Sequence, residues 1–112
     1  MNGDYRKIEL IMALRNQGIR DRKILEAIER TPREMFLSPA FQPMAYADQA
    51  LPIACGQTIS QPFVVAFMTD RLKLNDRCKV LEVGTGSGYQ AAILSPLCRR
   101  VYTIERFRTL AS

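Results

Sequence analysis

The sequence predicts an α/β protein in which helices come first and a strand–helix–strand unit follows. Three observations support this fold class. Apolar residues recur at helical spacing between positions 5 and 30, a branched apolar segment at 79–83 runs directly into a glycine-rich loop, and a second short apolar segment lies at 101–104. The 112 residues are 47% hydrophobic and 24% charged, which is ordinary composition for a globular domain and excludes a disordered or fibrous chain.

The first predicted helix extends from about Tyr5 to Gln17. Ile8, Ile11 and Met12 lie on one face of such a helix. Gly18 follows, and glycine commonly ends a helix because it adopts the left-handed conformation at no steric cost. The sequence therefore predicts a helix that stops at Gly18.

A second short helix is predicted immediately afterwards. Asp21 can accept a hydrogen bond from the first free backbone N–H groups, and Ile24, Leu25 and Ile28 share one face. The pair Thr31–Pro32 then forces the chain out of the helix. Two such helices in tandem predict a small helical subdomain.

Residues 35–52 contain three prolines and are predicted to form an irregular crossing with a possible helical turn. A third helix is expected after it, because Pro62 suits the first helical position and apolar residues follow at helical spacing. Ser60 or Gln61 is the expected N-cap of this helix.

The strand–helix–strand unit is the most regular part of the pattern. The predicted strand Lys79–Val83 ends at the loop Gly84–Gly88, and the helix Tyr89–Leu94 follows, its last turn bent by Ser95–Pro96. The second strand is Val101–Ile104. A unit of this length predicts two parallel strands joined by a right-handed crossover.

Charge and hydropathy exclude several classes of function. The net charge is +5, and residues 71–112 hold eight basic and three acidic side chains, but no basic run exceeds two residues. A solvated surface is therefore favoured over a nucleic-acid interface. No apolar run exceeds six residues, and the polar N-terminus does not resemble a secretion signal, so we expect a cytoplasmic protein without a membrane segment.

Three cysteines and no histidine leave little for a metal site. Cys55, Cys78 and Cys98 form no C-x-x-C pair and cannot all pair internally, so we expect reduced thiols and no bound metal. Without histidine, a Ser-His-acid triad is impossible.

The glycine loop is the strongest functional signal. Gly84, Gly86 and Gly88 follow G-x-G-x-G, whereas the dinucleotide pattern needs a glycine where Tyr89 stands, and no lysine of a phosphate-binding loop is nearby. Glycine is needed here because the backbone turns sharply and a Cβ would keep a ligand away. The pattern favours a nucleoside ligand that carries no phosphate.

Two acids are placed to hold such a ligand. Glu82 enters the loop, and Glu105 ends the second strand 21 residues after Gly84, where an acid can accept hydrogen bonds from both ribose hydroxyls. The combination fits S-adenosylmethionine. A glycine turn with two incidental acids is the competing structural interpretation.

Three segments together resemble the protein-L-isoaspartate O-methyltransferase family: Tyr46–Ile53, Gly56–Pro62 and Val80–Ala92. The glycine loop alone would indicate only a class I methyltransferase, whereas the Gln-Thr-Ile-Ser-Gln-Pro sequence within Gly56–Pro62 is specific to this family. The resemblance extends from about Met12 to Arg106, with Ala54 and Pro96 as its departures.

The resemblance implies an activity and a site. The activity is methyl transfer from S-adenosyl-L-methionine to the free α-carboxyl of L-isoaspartyl residues in damaged proteins and peptides, with Ser60 as the catalytic residue. A monomer that uses no nucleic acid or membrane as partner is implied. The implied cofactor contacts are Gln57, Thr58, Ile59, Ser60, Glu82, Gly84, Gly86, Ser87, Gly88, Glu105 and Arg106.

The resemblance also implies a domain organisation. Residues 1–74 correspond to an N-terminal helical and substrate-side segment, and residues 75–112 to the start of the Rossmann-like cofactor domain. The sheet of this fold has about seven strands, whereas the sequence holds two, so we expect an incomplete sheet with an open apolar edge and a chain that is inactive or weakly active by itself.

Other interpretations remain open at this point. Ser60 is a plain helix cap in the simplest reading, and Asp48 is a turn acid outside the site. The methyl acceptor is an RNA or a small molecule in one alternative. In another, the chain is a non-catalytic remnant that binds partners through its N-terminal helices.

Overall fold

The computed structural model describes residues 2–53, 56–84 and 86–104. Within these ranges the chain forms four helices and four strands, together with three short 3₁₀ helices. In chain order the elements are α1 (Asn2–Asn16), α2 (Arg22–Arg30), 3₁₀ helices at Arg33–Phe36 and Pro39–Met44, β1 (Leu51–Pro52), β2 (Thr58–Ile59), α3 (Pro62–Arg71), β3 (Lys79–Val83), α4 (Tyr89–Leu94), a 3₁₀ helix at Ser95–Leu97, and β4 (Arg100–Ile104).

The boundary between α1 and α2 follows the predicted signals. Gly18 has φ +106°, and the Ile19 N–H donates to the Leu14 carbonyl at 3.0 Å, so α1 ends in a glycine C-cap. The Asp21 carboxylate accepts from the Lys23 N–H at 2.9 Å and caps α2. Both predictions are confirmed, although α1 begins at Asn2, earlier than Tyr5.

The hydrophobic core joins the N-terminal helices to α3 and α4. Ile24, Leu25 and Ile28 are buried as predicted, and α2 contacts both α3 and α4. Buried residues of the other three helices complete this core: Leu10, Leu14, Val65, Ala66, Tyr89 and Ile93. The helix of the strand–helix–strand unit is thus anchored in the N-terminal core.

The proline-rich crossing contains the predicted helical turn and one element that the sequence did not indicate. Two 3₁₀ helices carry the chain to β1, which pairs antiparallel with β2 in the register Leu51↔Ile59 and Pro52↔Thr58. Strands of two residues are too short to produce a period-two pattern, so sequence periodicity could not reveal this hairpin.

The strand–helix–strand unit confirms the α/β class. β3 and β4 are parallel, with Leu81 opposite Tyr102 and Val83 opposite Ile104, and β4 begins at Arg100, one residue before the predicted start. Pro96 lies in the 3₁₀ helix that ends the crossover, as the predicted bend requires.

One face of this strand pair is exposed. Because side chains alternate along a strand, Leu81 and Val83 share a face with Tyr102 and Ile104, and these four side chains are 47–76% exposed. We call these four residues the open sheet face. The sequence analysis expected an open apolar edge, whereas the feature seen in the described residues is an exposed apolar face.

Two further sequence expectations concern membranes and thiols. Across the described ranges, no helix has the length and apolar character needed to span a bilayer. Cys98 is buried and Cys78 half-buried, and both are free thiols; burial raises the pKa of Cys98, which disfavours its reactive thiolate. Cys55 lies outside the described residues.

Candidate functional site

The glycine loop turns the chain from β3 into α4 through left-handed backbone. Gly84, Gly86 and Gly88 have φ values of +79°, +59° and +89°, a region that favours glycine. A Cβ built on Gly84 would meet no atom within 4 Å, so this backbone faces open space. The Gly84 N–H donates to the Ile104 carbonyl at 2.6 Å, which fixes the start of the loop to the end of β4.

The loop is also held from its far end. The Ser87 hydroxyl accepts from the Tyr89 N–H at 3.2 Å, and the Tyr89 ring packs edge-on against Phe36 with 5.4 Å between centroids. Burial raises the pKa of Tyr89 to about 12; Arg33 opposes this shift and Glu34 adds to it. The residue after the loop is therefore a neutral, buried anchor.

One cavity of about 440 Å³ brings the two halves of the family motif together. Its lining includes Thr58, Ile59 and Ser60 from the hairpin side and Glu82, Gly84, Gly86 and Ser87 from the strand and loop. This volume lies within the range of small-molecule sites. The sequence predicted that these residues meet, and the structure places them around one space.

The remaining predicted contacts are placed differently. Gln57 is exposed and is not among the residues that line the cavity; its carbonyl accepts from the Ile53 N–H at 2.9 Å across the hairpin. Gly88 contributes to the loop but not to the lining. Glu105 and Arg106 lie outside the described residues.

Residues of helices α3 and α4 also line this cavity. The Gln90 amide donates to the Thr69 hydroxyl at 2.9 Å, and that hydroxyl donates to the Val65 carbonyl at 2.7 Å. Thr69 and Gln90 both line the cavity, so these bonds connect the two helices where they border it.

Ser60 does not cap α3, so the simplest reading of this residue is wrong. The N-cap is Gln61, and its side chain makes no capping bond. The Asp48 carboxylate performs the capping instead, accepting from the Phe63 N–H at 2.9 Å. A carboxylate is a stronger acceptor than a hydroxyl and suits the positive end of a helix, which leaves the exposed Ser60 hydroxyl available to the cavity.

Arg33 is a second residue that the sequence analysis missed. It is fully buried, and its guanidinium donates to the Ser60 carbonyl at 3.1 Å and to the Gln49 carbonyl at 2.9 Å. Burial lowers the pKa of Arg33, while Tyr89, Asp48 and Tyr46 raise it. A lone arginine after a proline carries no sequence signal for such a role.

A larger groove of about 810 Å³ lies between α1 and α2. Basic side chains dominate its lining, and none of the predicted site residues belongs to it. The motif residues therefore assign the candidate site to the smaller cavity.

Comparison with known proteins shows which family the sequence matches. The family model for protein-L-isoaspartate(D-aspartate) O-methyltransferase matches residues 5–112. The chain is 68% identical over 108 residues to a protein-L-isoaspartate O-methyltransferase of Parvibaculum lavamentivorans, covering 96% of this chain and 49% of that protein. It is 63% identical over 110 residues to a Rhodospirillum rubrum protein of the same name, covering 98% and 50%.

Two solved structures share the fold. A Plasmodium falciparum protein described as a protein-L-isoaspartate O-methyltransferase, in complex with S-adenosyl-L-homocysteine, superposes with a TM-score of 0.78 at 25% identity, over 91% of this chain and 50% of that one. A second protein-L-isoaspartate O-methyltransferase gives a TM-score of 0.82 at 29% identity, over 93% and 35%. The chain spans about half the length of the curated relatives it matches. It belongs to the protein-L-isoaspartate O-methyltransferase family, as its two motif blocks indicated.

Proposed function

We propose that this chain carries the cofactor half of a protein-repair methyltransferase. The reaction is methyl transfer from S-adenosyl-L-methionine to the free α-carboxyl of L-isoaspartyl residues in damaged proteins and peptides. The observation that carries the proposal is the single cavity lined by both Ser60 and the glycine loop. Family membership and the neighbouring structure with S-adenosyl-L-homocysteine support it.

The residues around the cavity fit such a cofactor. Gly84 and Gly86 line the cavity, and the open space beside Gly84 allows close approach of a nucleoside; no phosphate-binding lysine is required. Thr58, Ile59, Ser60, Glu82 and Ser87 would complete the contacts from the cavity walls. We extend the proposed set to Gln57, Gly88, Glu105 and Arg106 from the family resemblance. When bound, the cofactor supplies an electrophilic methyl group on a sulfonium centre.

The protein's share of the chemistry is alignment. The acceptor carboxylate has an ordinary pKa near ~3.5, so it is ionised at neutral pH and needs no general base. Orientation of its oxygen in line with the methyl–sulfur bond can contribute up to ~7–11 kcal/mol. The exposed Ser60 hydroxyl, on the cavity wall, would donate a hydrogen bond to that carboxylate. Ser60 is a positioner in this scheme, and the 112 residues contain no histidine that could act as its general base.

Titration of the chain with S-adenosyl-L-homocysteine tests the cofactor site. Amide NMR should show shifts at Gly84, Gly86 and Ser60. Gly84→Ala should weaken binding at least tenfold, whereas Gly18→Ala should leave it unchanged. Both glycines have positive φ and open space around a built Cβ, so the two variants match in strain and differ in location. A cavity that never responds to the ligand would overturn the proposal.

The acceptor is tested by peptide binding. With S-adenosyl-L-homocysteine bound, an isoaspartyl peptide should shift the Ser60 amide, and the otherwise identical aspartyl peptide should not. Equal responses would favour a different acceptor, such as an RNA or a small molecule. If Ser60→Ala leaves the binding of partners unchanged, that result would favour the non-catalytic alternative. Low or absent methyl transfer by the isolated chain, a monomeric state and a cytoplasmic location stay predictions.

A further inference from the structure

The charged side chain of Arg33 is fully buried, with 0% exposure. Among the described residues, no carboxylate lies within hydrogen-bond distance of its guanidinium. Within the described ranges, the guanidinium donates to four backbone carbonyls: Nη1 to Ala45 at 2.6 Å and, more weakly, to Ala47 at 3.5 Å, and Nη2 to Gln49 at 2.9 Å and Ser60 at 3.1 Å. We call this guanidinium and its four carbonyls the Arg33 cluster. It joins residues that lie 12 to 27 positions away in the chain.

The acceptors of Nη2 lie on the two sides of one hairpin. Gln49 precedes β1, and Ser60 directly follows β2. Since Leu51 pairs with Ile59, both carbonyls lie at the open end of the hairpin, just beyond its last paired residues. One NH₂ group therefore binds both strands where the ladder stops and holds the Ser60 backbone to the 45–49 segment.

The other end of the same hairpin reaches the glycine loop. A Cβ built on Gly86 would lie 3.7 Å from the Ile53 Cδ1 atom. Phe36, in the 3₁₀ helix that also carries Arg33, lies 3.9 Å from a Cβ built on Gly88. The Arg33 guanidinium carbon is 5.9 Å from the centroid of the Tyr89 ring, within range of a cation–π contact.

We infer that Arg33 is a positioning residue of the candidate site, which fixes the hairpin and Ser60 at a set distance from the glycine loop. The inference deepens the proposed function and rests on it. Arg33 has no described contact with the cavity; it acts through the Ser60 carbonyl on one side and the Tyr89 ring on the other.

Physical chemistry favours this role over simple filling of the core. A buried charge costs desolvation, and its net contribution to stability is small compared with a well-packed apolar residue. The guanidinium offers five donors in a rigid plane, so it can bind the 45–49 segment and Ser60 in one geometry. Lysine keeps the charge but presents a point ammonium on a flexible stem and cannot reproduce this planar arrangement.

The test compares Arg33→Lys with Arg30→Lys. Arg30 lies on the exposed side of α2 with 78% of its side chain accessible, paired at 2.8 Å with Glu26, so it controls for the substitution itself. Two quantities are measured at a temperature where circular dichroism shows each variant to be folded. These are amide hydrogen exchange and the dissociation constant for S-adenosyl-L-homocysteine.

For Arg33→Lys we expect at least tenfold faster exchange at residues 58–60, unchanged exchange in α1 and α2, and at least tenfold weaker ligand binding. Arg30→Lys should stay within twofold of the parent chain in every measurement. Exchange that accelerates uniformly along the chain, or ligand affinity that survives in the folded variant, would show that Arg33 only stabilises the fold and would overturn the inference.

A measurement on the unmodified chain covers the case in which Arg33→Lys does not fold. With ¹⁵N-labelled arginine, the Arg33 Nη protons should give separate, slowly exchanging signals that shift when S-adenosyl-L-homocysteine binds. Separate signals that do not move on binding would overturn the link to the site. If the chain binds no ligand, the proposed function fails together with the site role of Arg33, and the exchange data alone decide whether Arg33 orders the hairpin.

Discussion

The N-terminal helices place leucine and isoleucine side chains in the core, whereas the parallel strand pair leaves the apolar side chains of one face exposed. Leu14 in α1 is 0% exposed, whereas Leu81 and Val83 in β3 are 61% and 76% exposed. Parallel strands are normally covered on both faces. The strand and the loop depend on local sequence signals. Within the described part of the chain, no residues cover the open sheet face.

We expect the largest difference in the free energy of unfolding when the same substitution, leucine to alanine, is made in each region. Leu14→Ala should lower the free energy of unfolding by ~2–5 kcal/mol, because it leaves a cavity in the core. Leu81→Ala should change it by less than ~0.5 kcal/mol, because the side chain already contacts water. Urea unfolding of both variants provides the measurement. A comparable loss for Leu81→Ala would mean that the open sheet face is buried in solution.

Tyr89 connects the two regions, since it begins α4 and lies in the N-terminal core. Burial raises its pKa from 10.0 to about 12. Below pH 10 the phenol is neutral in both states; above it the unfolded chain ionises first, so the stability contribution is lost as the pH rises towards 12. We expect a loss of roughly 2–3 kcal/mol over this interval.

The control for this prediction is Tyr89→Phe, which cannot ionise. The difference in unfolding free energy between the two proteins should change across pH 10–12 and be constant below it. If the unfolding free energies of both proteins change in parallel above pH 10, Tyr89 does not titrate with unfolding, and the two regions are less firmly joined.

Helix capping provides another comparison, in which we expect losses of stability of intermediate size. Asp21 caps α2 from the adjacent residue, whereas Asp48 caps α3 from 15 residues before Phe63. Asp48→Ala and Asp21→Ala should each cost ~1 kcal/mol in urea unfolding. Asp76→Ala, in an exposed turn, is the matched control and should cost nothing measurable. If Asp48→Ala leaves the free energy of unfolding unchanged, another residue caps α3 in its place. Ser60 would be the first residue to examine.

The smallest expected effect on stability is that of Val83→Thr, which replaces a methyl group by a hydroxyl on the open sheet face. The free energy of unfolding should change by less than ~0.5 kcal/mol. The concentration at which light scattering detects association should rise, because exposed apolar strands favour pairing between chains. Unchanged association would show that this face does not govern contacts between molecules.

The sequence predicted those features whose determinants lie close together in the chain. Gly18 ended α1 and Asp21 capped α2 as expected, and the glycine loop was placed between β3 and α4 at the correct residues. Each signal involves backbone preferences or bonds within a few residues. The α/β class followed from these local signals.

The missed features depend on contacts between distant residues. Asp48 binds the N–H of Phe63, and Arg33 binds carbonyls up to 27 residues away. No local sequence pattern indicates either contact. Ser60 was ambiguous for the same reason, since only the position of Asp48 decides that it is not the cap. Family membership was predictable because family motifs carry such long-range information in residue identity.

The order of residues in the Arg33 cluster bears on how the chain is made. Arg33 and its four carbonyl partners all occur by Ser60, and the glycine loop begins only at Gly84. Because synthesis proceeds from the N-terminus, every donor and acceptor of the cluster exists before the ribosome adds the first glycine of the loop. The hairpin and the bonds that hold the Ser60 backbone in place are thus encoded entirely upstream of the loop that packs beside Ile53.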